Sequence, residues 1–365
     1  MKKVMHIVEA FGGGVFTFMV DLLNSITEEY DVILVCSIRP QTPNNYIDYL
    51  DKSIKIIELK NGGRNIGIKD FKLYFEIKEI IKRENPDIVH LHSSKAGFLG
   101  RLYCSDRKRE IFYNPHGYSF FMKDAGKIKR FIYKGIELVA SKKCGYIIAC
   151  SKGEYEEALK LSKKVFLINN GININKLSNL KGKDVDIKNL KICTLGRISI
   201  QKDPKIFNEI AKKFSKIQFT WIGDGELINE LNAPNIKITG WLEKEKALEI
   251  MNESDIFILT SLWEGLPIAL LEAMYYKKIC IVSNCIGNRD VINKENGFLC
   301  SSLEDYFDAI YKILEGKIDM KRLQDNAHKD VELKYNFTIV SRKYMSLYKL
   351  IGKEIKSQLV IKNNI

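Results

Sequence analysis

Two glutamates eight residues apart, Glu264 and Glu272, lie in the segment of this chain that most clearly indicates chemistry. Glu264 lies in a Gly/Pro turn after the apolar run 255–260, which is typical of a buried parallel strand. Pro267 suits the first turn of a helix, and such a strand, turn and helix N-terminus together favour an anionic ligand. Glu272 lies inside that helix among apolar neighbours, where an unpaired carboxylate is costly. The pattern predicts a binding segment; a helix that exposes Glu272 to solvent is the alternative.

Length and composition favour a globular protein of two domains. The chain has 365 residues, which is too long for one ordinary hydrophobic core. Of these residues 45% are hydrophobic and 28% charged, a composition typical of a globular rather than a disordered protein. Its eight cysteines form no CxxC pair, so we expect reduced thiols and neither disulfides nor zinc. No apolar run approaches the roughly 20 residues that span a bilayer. We therefore expect a cytoplasmic protein.

Basic and aromatic residues are interleaved between residues 118 and 143. Seven lysines and arginines against two acids give residues 123–143 a charge of +5. This combination predicts a segment that lies on an anionic membrane; a solvated helix with core-facing aromatics is the alternative. Despite a net charge of +13 no nucleic-acid motif is present, so we expect no nucleic-acid partner. The predicted membrane patch consists of Phe120, Phe121, Lys127, Lys129 and Arg130.

Strand-like and helical segments alternate along the whole chain, which predicts doubly wound parallel α/β domains. We predict a first domain over residues 1–171, a polar linker over 172–189 and a second domain over 190–336. The remaining segment, 337–365, is expected to contain a helix that packs back on the first domain. Two consecutive domains of this kind imply a cleft between them. The strands expected in the second domain are 190–195, 218–222, 236–239, 255–260 and 279–283.

Ordered motifs in both halves resemble one enzyme family. The motifs are Gly12-Gly13-Gly14, Pro86-Asp87-Ile88-Val89-His90, Asn114-Pro115-His116-Gly117, Gly196-Arg197, Gln201-Lys202-Asp203, Gly223-Asp224-Gly225 and the Glu264/Glu272 pair. As a set covering nearly the whole chain, they resemble the retaining GT-B glycosyltransferases of glycosyltransferase family 4. That resemblance implies two Rossmann-like domains facing across a cleft. The continuation Tyr118-Ser119-Phe120 resembles members that build bacterial surface polysaccharides such as O-antigen or capsule.

The resemblance also implies a site for a nucleoside-diphosphate sugar, expected to be UDP-linked. It assigns Arg197 and Lys202 to the diphosphate, where cations stabilise the growing negative charge; ordinary surface basicity is the alternative. It assigns Glu272 to the ribose hydroxyls and Glu264 to the transferred sugar, the latter as a catalytic residue. The remaining donor-binding positions are Gly13, Gly14, Gly223, Gly265, Leu266 and Pro267.

His116 is the other expected catalytic residue. The resemblance places it at the donor sugar, where we expect it to position the sugar and stabilise charge rather than act as a base; a structural histidine is the alternative. In a front-face reaction the leaving phosphate takes the acceptor's proton, so no protein nucleophile is needed. His90 and His92 face the same way in a strand, but no third ligand is evident, and a structural role is favoured over a metal pair.

Other patterns exclude some classes. A dinucleotide-binding fingerprint needs a third glycine after Gly12 and Gly14, but Thr17 occupies that position. A Rossmann dehydrogenase is therefore disfavoured. Asp184-Val185-Asp186 lies in the polar linker and is not expected to bind metal. Residues 284–290 depart from the family pattern, since the acidic residue there is Asp290 rather than glutamate.

These observations predict a retaining hexosyltransferase without metal or other cofactor. It would move a sugar from a nucleotide-sugar donor to a growing, lipid-linked glycan, peripherally on the inner face of the cell membrane. Two alternatives remain open. One is an epimerase or phosphorylase of the same fold, and the other is a non-catalytic subunit that binds nucleotide sugars.

Overall fold

A computed structural model describes residues 1–63, 67–103, 109–177, 182–183 and 185–351, without the side chains of residues 68, 69 and 351. The end of the predicted C-terminal helix and Asp184 lie outside these residues. The chain forms two compact units. Unit 1 comprises Met1–Phe120, Lys127–Asn170 and the helix from Phe337, and unit 2 comprises Phe121–Gly126 and Gly171–Asn336.

Thirteen strands and thirteen α-helices are found in the described residues. The strands are β1 (Lys2–Phe11), β2 (Tyr30–Ile38), β3 (Lys55–Glu58), β4 (Ile88–His92), β5 (Glu110–Asn114), β6 (Tyr146–Ala149), β7 (Val165–Leu167), β8 (Lys191–Leu195), β9 (Gln218–Ile222), β10 (Ile236–Ile238), β11 (Ile256–Leu259), β12 (Ile279–Ser283) and β13 (Phe298–Cys300). The helices are α1 (Gly13–Ile26), α2 (Ile68–Glu84), α3 (Ser94–Tyr103), α4 (Lys127–Lys143), α5 (Lys152–Leu159), α6 (Ile174–Leu177), α7 (Pro204–Lys213), α8 (Lys244–Glu253), α9 (Ile268–Tyr275), α10 (Asn288–Val291), α11 (Leu303–Leu314), α12 (Met320–Lys334) and α13 (Phe337–Ile351).

Unit 1 is built on a seven-stranded parallel sheet in the order β3-β2-β1-β4-β5-β6-β7. The central strands are buried along nearly their whole length, as expected for a sheet covered on both faces. The chain order reverses between β1 and β4, so side chains beyond these strands meet at one point of the sheet. Helix α13 belongs to this unit, where Phe337 and Tyr344 pack against Phe18 of α1.

Unit 2 has a six-stranded parallel sheet in the order β10-β9-β8-β11-β12-β13, which reverses between β8 and β11. Its core packs Phe207 edge-on against Phe219 and Trp221. The predicted α/β class with parallel sheets is confirmed in both units. The prediction that strand 279–283 completes the second sheet is wrong, because β13 adds a sixth strand. That strand has only three residues, one of them buried, and so leaves little pattern in the sequence.

Two short helical segments lie within the described part of the predicted linker. Helix α6 and the 3-10 turn Ile187–Asn189 lie there, and Asp186 caps the turn by accepting from the N–H groups of Lys188 and Asn189. Its carboxylate therefore has a local structural partner. Among the described residues, the structure contains no helix long and apolar enough to cross a membrane.

Candidate functional site

The loops after β8 and β11 meet where the sheet of unit 2 reverses. Lys202 Nζ lies 2.7 Å from Oε1 of Glu264, and Gln201 Nε2 lies 3.3 Å from Oε2. The two loops are also joined through backbone, since the N–H of Leu262 donates to the carbonyl of Gln201 over 2.8 Å. Glu264 is buried, with 7% of its surface exposed. The fold thus pairs a cation and a carboxylate that are 62 positions apart in sequence.

Arg197 lies in the same loop after β8, and its guanidinium pairs with a carboxylate from the loop after β9. Nη2 of Arg197 is 2.8 Å from Oε2 of Glu226, and Nε is 2.9 Å from the same oxygen. Both side chains are partly exposed, and exposed ion pairs contribute little because water and salt screen them. The guanidinium can therefore exchange this partner for a phosphate at small cost.

Glycines let these loops approach each other closely. Gly223 has φ +139°, and a Cβ there would lie 2.3 Å from the carbonyl oxygen of Gly196. Gly287, with φ +87°, packs against Gly265 in the same way, since a Cβ added to Gly287 would lie 2.4 Å from the carbonyl oxygen of Gly265. Any larger residue would clash with backbone and adopt an unfavourable conformation. Gly223 and Gly265 were expected in the site, whereas Gly287 was not. Asp290 works locally by accepting from the N–H of Gly287 at the start of α10.

Glu272 is buried on α9, with 4% of its surface exposed. The alternative that this side chain faces solvent is therefore wrong. Lys244 Nζ lies 3.0 Å from its Oε1, but the angles do not make a hydrogen bond, and Oε1 has no hydrogen-bond donor within the described part of the chain. Lys244 was not anticipated, because nothing in the local sequence links the start of α8 to α9.

Helix α9 begins one residue later than expected. Pro267 has an extended conformation (φ −75°, ψ 123°) just before the helix, rather than lying in its first turn. Since Pro267 has no N–H, it offers no backbone donor to an anion at this helix terminus. The first N–H groups of the helix are those of Ile268 and Ala269, which have no intrahelical partner and lie at the positive end of the helix dipole.

In unit 1, His116 follows the end of β5 in a sharp turn. His116 has φ +53° and Gly117 φ +98°, so two consecutive residues are left-handed. Glu154 holds this turn: its Oε1 accepts from the N–H of Gly117 and its Oε2 from that of Cys150, both over 2.7 Å. Burial raises the pKa of Glu154. Glu154 was not predicted as a site residue, although the spacing Ser151-x-x-Glu154 is a helix-capping signal that the structure uses at α5.

His116 is the last of three histidines that are joined by hydrogen bonds, the others being His92 and His6. His92 Nδ1 lies 3.0 Å from His116 Nε2, and His92 Nε2 lies 3.0 Å from His6 Nδ1. His6 on β1 is in register with His90 on β4, which places their side chains on the same face. Desolvation lowers the pKa of His6 to about 3 and that of His116 to about 4, and it also lowers the pKa of His92. All three rings are therefore neutral at pH 7.

His90 has two partners of its own. Its Nε2 donates to Oδ1 of Asn114 over 2.6 Å, and the hydroxyl of Tyr348 donates to its Nδ1 over 2.5 Å. The third ligand that was not evident from the sequence is His6, which joins His90 and His92 in a cluster whose nitrogens lie within 4.8 Å. A metal would need free lone pairs about 2.0–2.1 Å away. His90 has none free, because Tyr348 uses it, and His92 uses both of its nitrogens on the neighbouring histidines.

The glycines after β1 open helix α1. Gly13, with φ +55°, is the first helical residue, and Gly12 before it has no side chain that could cap the helix. Gly13 and Gly14 are exposed. Their N–H groups belong to the first turn, at the positive end of a 14-residue helix, which suits an anionic group.

The predicted membrane patch needs correction. Phe120 and Phe121 are buried, with 6% and 9% of their surfaces exposed, and Phe120 stacks on Tyr118 with ring centroids 4.6 Å apart. These phenylalanines fill the turn after β5 and cannot face a membrane. Helix α4 nevertheless has an exposed apolar stripe among the exposed cations Lys127, Lys129 and Arg130. The stripe is formed by Ile128, Phe131, Ile132 and Val139.

Comparison with known proteins identifies both units. The family "Glycosyltransferase Family 4" matches residues 12–176, and "Glycosyl transferases group 1" matches residues 175–330. UDP-Gal:alpha-D-GlcNAc-diphosphoundecaprenol alpha-1,3-galactosyltransferase of Escherichia coli is 32% identical over 80% of this chain and 82% of its own length. N,N'-diacetylbacillosaminyl-diphospho-undecaprenol alpha-1,3-N-acetylgalactosaminyltransferase of Campylobacter jejuni is 24% identical over 94% and 98%.

Solved structures agree on the fold. Sucrose-phosphate synthase of Thermosynechococcus elongatus has a TM-score of 0.81 at 16% identity, covering 96% of this chain and 99% of its own. Anabaena HepE in complex with UDP has a TM-score of 0.75 at 14% identity, covering 95% and 100%. The expected GT-B fold and family are confirmed. This chain therefore belongs to glycosyltransferase family 4 and is a glycosyltransferase of the GT-B fold.

Proposed function

We propose that this glycosyltransferase moves a hexose-type sugar from a UDP-sugar to a polyprenyl-diphosphate-linked glycan, with retention of the anomeric configuration. The E. coli relative has UDP-Gal, diphosphoundecaprenol and an alpha linkage in its name. The sugar of UDP-Gal is α-linked, so an alpha product from that donor means retention in the relative. Because the two chains are 32% identical over most of their lengths, the same chemistry is the best-supported proposal here.

The buried carboxylate of Glu272 is the observation that carries the donor site. One of its oxygens has no hydrogen-bond donor among the described residues, and a buried acceptor of this kind is costly unless a partner satisfies it. Ribose hydroxyls are neutral donors that can do so in pairs. Lys244 Nζ lies 3.0 Å from the same oxygen and forms an ion pair with this carboxylate.

Three features of unit 2 suit the diphosphate. Arg197 and Lys202 supply cations, and the first turn of α9 supplies N–H groups. Together they can stabilise the charge that grows on UDP as it leaves. We propose that these groups make a metal unnecessary. Lys202 already pairs with Glu264, which gives that glutamate a fixed orientation for accepting hydroxyls of the transferred sugar.

The transfer needs no protein nucleophile in this proposal. The leaving β-phosphate oxygen accepts the proton of the attacking hydroxyl on the same face of the sugar, while the bond between the anomeric carbon and that oxygen breaks. His116 of unit 1 serves the donor sugar as a hydrogen-bonding group, as the family resemblance implies. The N-terminus of α1, with Gly13 and Gly14, is the second proposed anion-binding segment.

A lipid-linked acceptor lies at a membrane surface, and helix α4 is the proposed contact. Its apolar stripe at residues 128, 131, 132 and 139 has helical spacing and is flanked by exposed cations. An amphipathic helix of this type lies in the interface with its apolar face among the lipids, and anionic lipids attract its cations. We propose that the enzyme binds peripherally to the cytoplasmic face of the cell membrane through this helix.

A panel of nucleotide sugars tests the proposal. The protein is incubated with each UDP-, GDP- and ADP-sugar and a short-chain polyprenyl-diphosphate GlcNAc acceptor, with and without EDTA. We expect one UDP-sugar to give an α-linked product whose formation EDTA does not slow. A β-linked product would contradict retention, and a strict requirement for added metal would contradict the metal-free site. Donor conversion without an acceptor would indicate an epimerase, and dependence on phosphate would indicate a phosphorylase.

A further inference from the structure

His6, His92 and His116 form a hydrogen-bonded chain whose direction is shared by all three rings. Each N···N contact holds one proton, and a neutral imidazole has only one N–H. His92 uses both nitrogens in the chain, so it donates to one neighbour and accepts from the other. Either all three rings carry the proton on Nδ1, or all three carry it on Nε2. The tautomer of His116 is therefore tied to that of His6, two strands away in the sheet.

The environment of His6, at the far end of this histidine chain, decides the direction in which the hydrogen bonds run. His6 is fully buried, and its Nε2 has no hydrogen-bond partner within the described residues. With the Nε2 tautomer, a buried N–H would be left without an acceptor, which is rare in native proteins, whereas an unpaired buried acceptor is tolerated somewhat more often. The Nδ1 tautomer leaves only a lone pair at that position. The chain then runs from His6 through His92 to His116.

We propose that His6 and His92 are positioning residues that hold His116 as the Nδ1–H tautomer, so that His116 presents a hydrogen-bond donor. In this state, Nε2 of His116 accepts from His92 and Nδ1 carries the proton. His116 thus has no lone pair left with which to act as a base. Within the described residues no protein group bonds to Nδ1, and the ring is partly exposed. The N–H at Nδ1 is available to an oxygen atom of a ligand.

The surroundings of the histidine chain keep its three imidazole rings neutral. Burial lowers the pKa values of all three rings, and the charge that any one would acquire lowers that of His92 further. Phe18 of α1 packs on His116, and Tyr348 of α13 packs near His6. His90 stands next to both inner rings but takes no part in the chain, because Asn114 and Tyr348 use its nitrogens.

The inference rests on the proposed function only for the identity of the group that accepts this hydrogen bond, which would be an oxygen of the donor sugar. The tautomers can be measured without any sugar. The chain has five histidines, so a protein labelled with ¹⁵N-histidine gives five rings in a long-range ¹H–¹⁵N correlation spectrum. We expect Nδ1–H forms for His6, His92 and His116 at pH 7.5, and an Nε2–H form for His90. An Nε2–H form of His116, or a charged ring, would overturn the proposal.

Two variants separate positioning from simple packing. In His92→Leu, the ring of His116 loses its hydrogen-bond partner in the histidine chain. We expect its ¹⁵N chemical shifts to change to values typical of a mixture of the two tautomers. His90→Gln is the matched control, since it lies on the same strand, is equally buried and keeps a donor for Asn114. We expect it to leave the His116 shifts unchanged. An unchanged His116 spectrum in a folded His92→Leu protein would reject the proposal, whatever the transferase activity of the chain.

Discussion

At the scale of single residues, the carboxylates of unit 2 have distinct environments. Glu264 is bonded by both Lys202 and Gln201, whereas Glu272 has an ion pair but leaves Oε1 without a hydrogen-bond donor among the described residues. A satisfied carboxylate is held in one orientation, and an incompletely satisfied one gains most from a ligand that donates. The two therefore serve different ligand groups.

Glu272→Gln should weaken the binding of UDP about 10-fold or more. The substitution keeps the shape but removes the charge that makes the carboxylate a strong acceptor, and a hydrogen bond to a charged group contributes about 1.5–3 kcal/mol. Isothermal calorimetry with UDP measures the change. Glu249→Gln makes the same substitution at an exposed site on α8 and should bind UDP normally. Unchanged affinity in folded Glu272→Gln would remove Glu272 from the nucleotide site.

Arg197→Ala should slow transfer by about 10²-fold, the typical effect of removing one group that stabilises charge in a transition state. Initial rates at saturating donor give this number. Its partner offers the control: Glu226→Gln removes the same exposed ion pair but leaves the guanidinium, so its rate should stay within about two-fold of the native protein. Equal losses in both variants would mean that Arg197 acts only through the pair.

At the scale of elements, the site of unit 2 depends on loops that touch through glycine. Sheet order brings the ends of β8, β9, β11 and β12 side by side. The loops that follow can touch only because Gly223 and Gly287 have no side chain. The N-terminus of α9 then begins directly behind the turn that contains Glu264. The loops and the helix together define one binding edge.

Gly223→Ala should destabilise unit 2 by about 1–3 kcal/mol and weaken UDP binding, because the added Cβ overlaps the carbonyl of Gly196. Urea unfolding followed by tryptophan fluorescence detects this, since Trp221, Trp241 and Trp263 all lie in unit 2. The control is Gly135→Ala, an exposed position within α4 with nothing near an added Cβ. It should leave the fluorescence-detected unfolding of unit 2 unchanged, because α4 belongs to unit 1. A neutral Gly223→Ala would show that the loops can separate freely.

Helix α4 carries the membrane prediction at the same scale. Replacing Lys127, Lys129 and Arg130 together by Gln should reduce binding to anionic liposomes strongly, since each cation near such a surface contributes about 1 kcal/mol. Phe131→Ser should reduce binding to the same liposomes at high salt, where the apolar contact dominates. Flotation assays measure both effects. The matched control replaces Lys212, Lys213 and Lys216 of unit 2 by Gln. Equal losses in both triple variants would indicate charge alone.

At the scale of the whole molecule, the two units share a plan but place different groups where their sheets reverse. Unit 2 has charged residues there, including Lys202 and Glu264, which are suited to an anionic, hydroxyl-rich ligand. Unit 1 has buried neutral histidines at the junction of β1 and β4. The consequence is a difference in how the two units respond to acid.

Unit 1 should lose stability as the pH falls below about 6.5. Its histidines have folded pKa values below the unfolded one, so their contribution is complete above the unfolded pKa of 6.5 and is lost as the pH falls towards about 3–4. Each histidine that stays neutral costs about 1.4 kcal/mol per pH unit. Hydrogen exchange of peptides from β1 and β4 at pH 7 and pH 5.5, corrected for intrinsic rates, measures this. Tryptophan fluorescence reports unit 2 in parallel, and equal acid sensitivity of both units would contradict the prediction.

Much of this protein was readable from its sequence. The strands have continuous apolar runs because parallel sheets are buried on both faces, and glycines and motif residues lie directly after them. These local patterns predicted the α/β class and the family, which are confirmed, and they indicated Glu264, Glu272, Arg197 and His116 as candidate site residues. They also misled where burial was decided elsewhere: Phe120 looks like part of an amphipathic patch, yet it packs on Tyr118.

Only the tertiary structure decided which of these residues meet. Lys202 reaches Glu264, Lys244 reaches Glu272, and His6 reaches His92, because sheet order joins segments that lie 28 to 86 positions apart. A sequence pattern reports the environment of each position one turn or one strand at a time. Hydrogen-bond partners, lowered pKa values and the direction of the histidine chain depend instead on contacts between strands. The residue types were therefore determined by the sequence, and their chemical states by the fold.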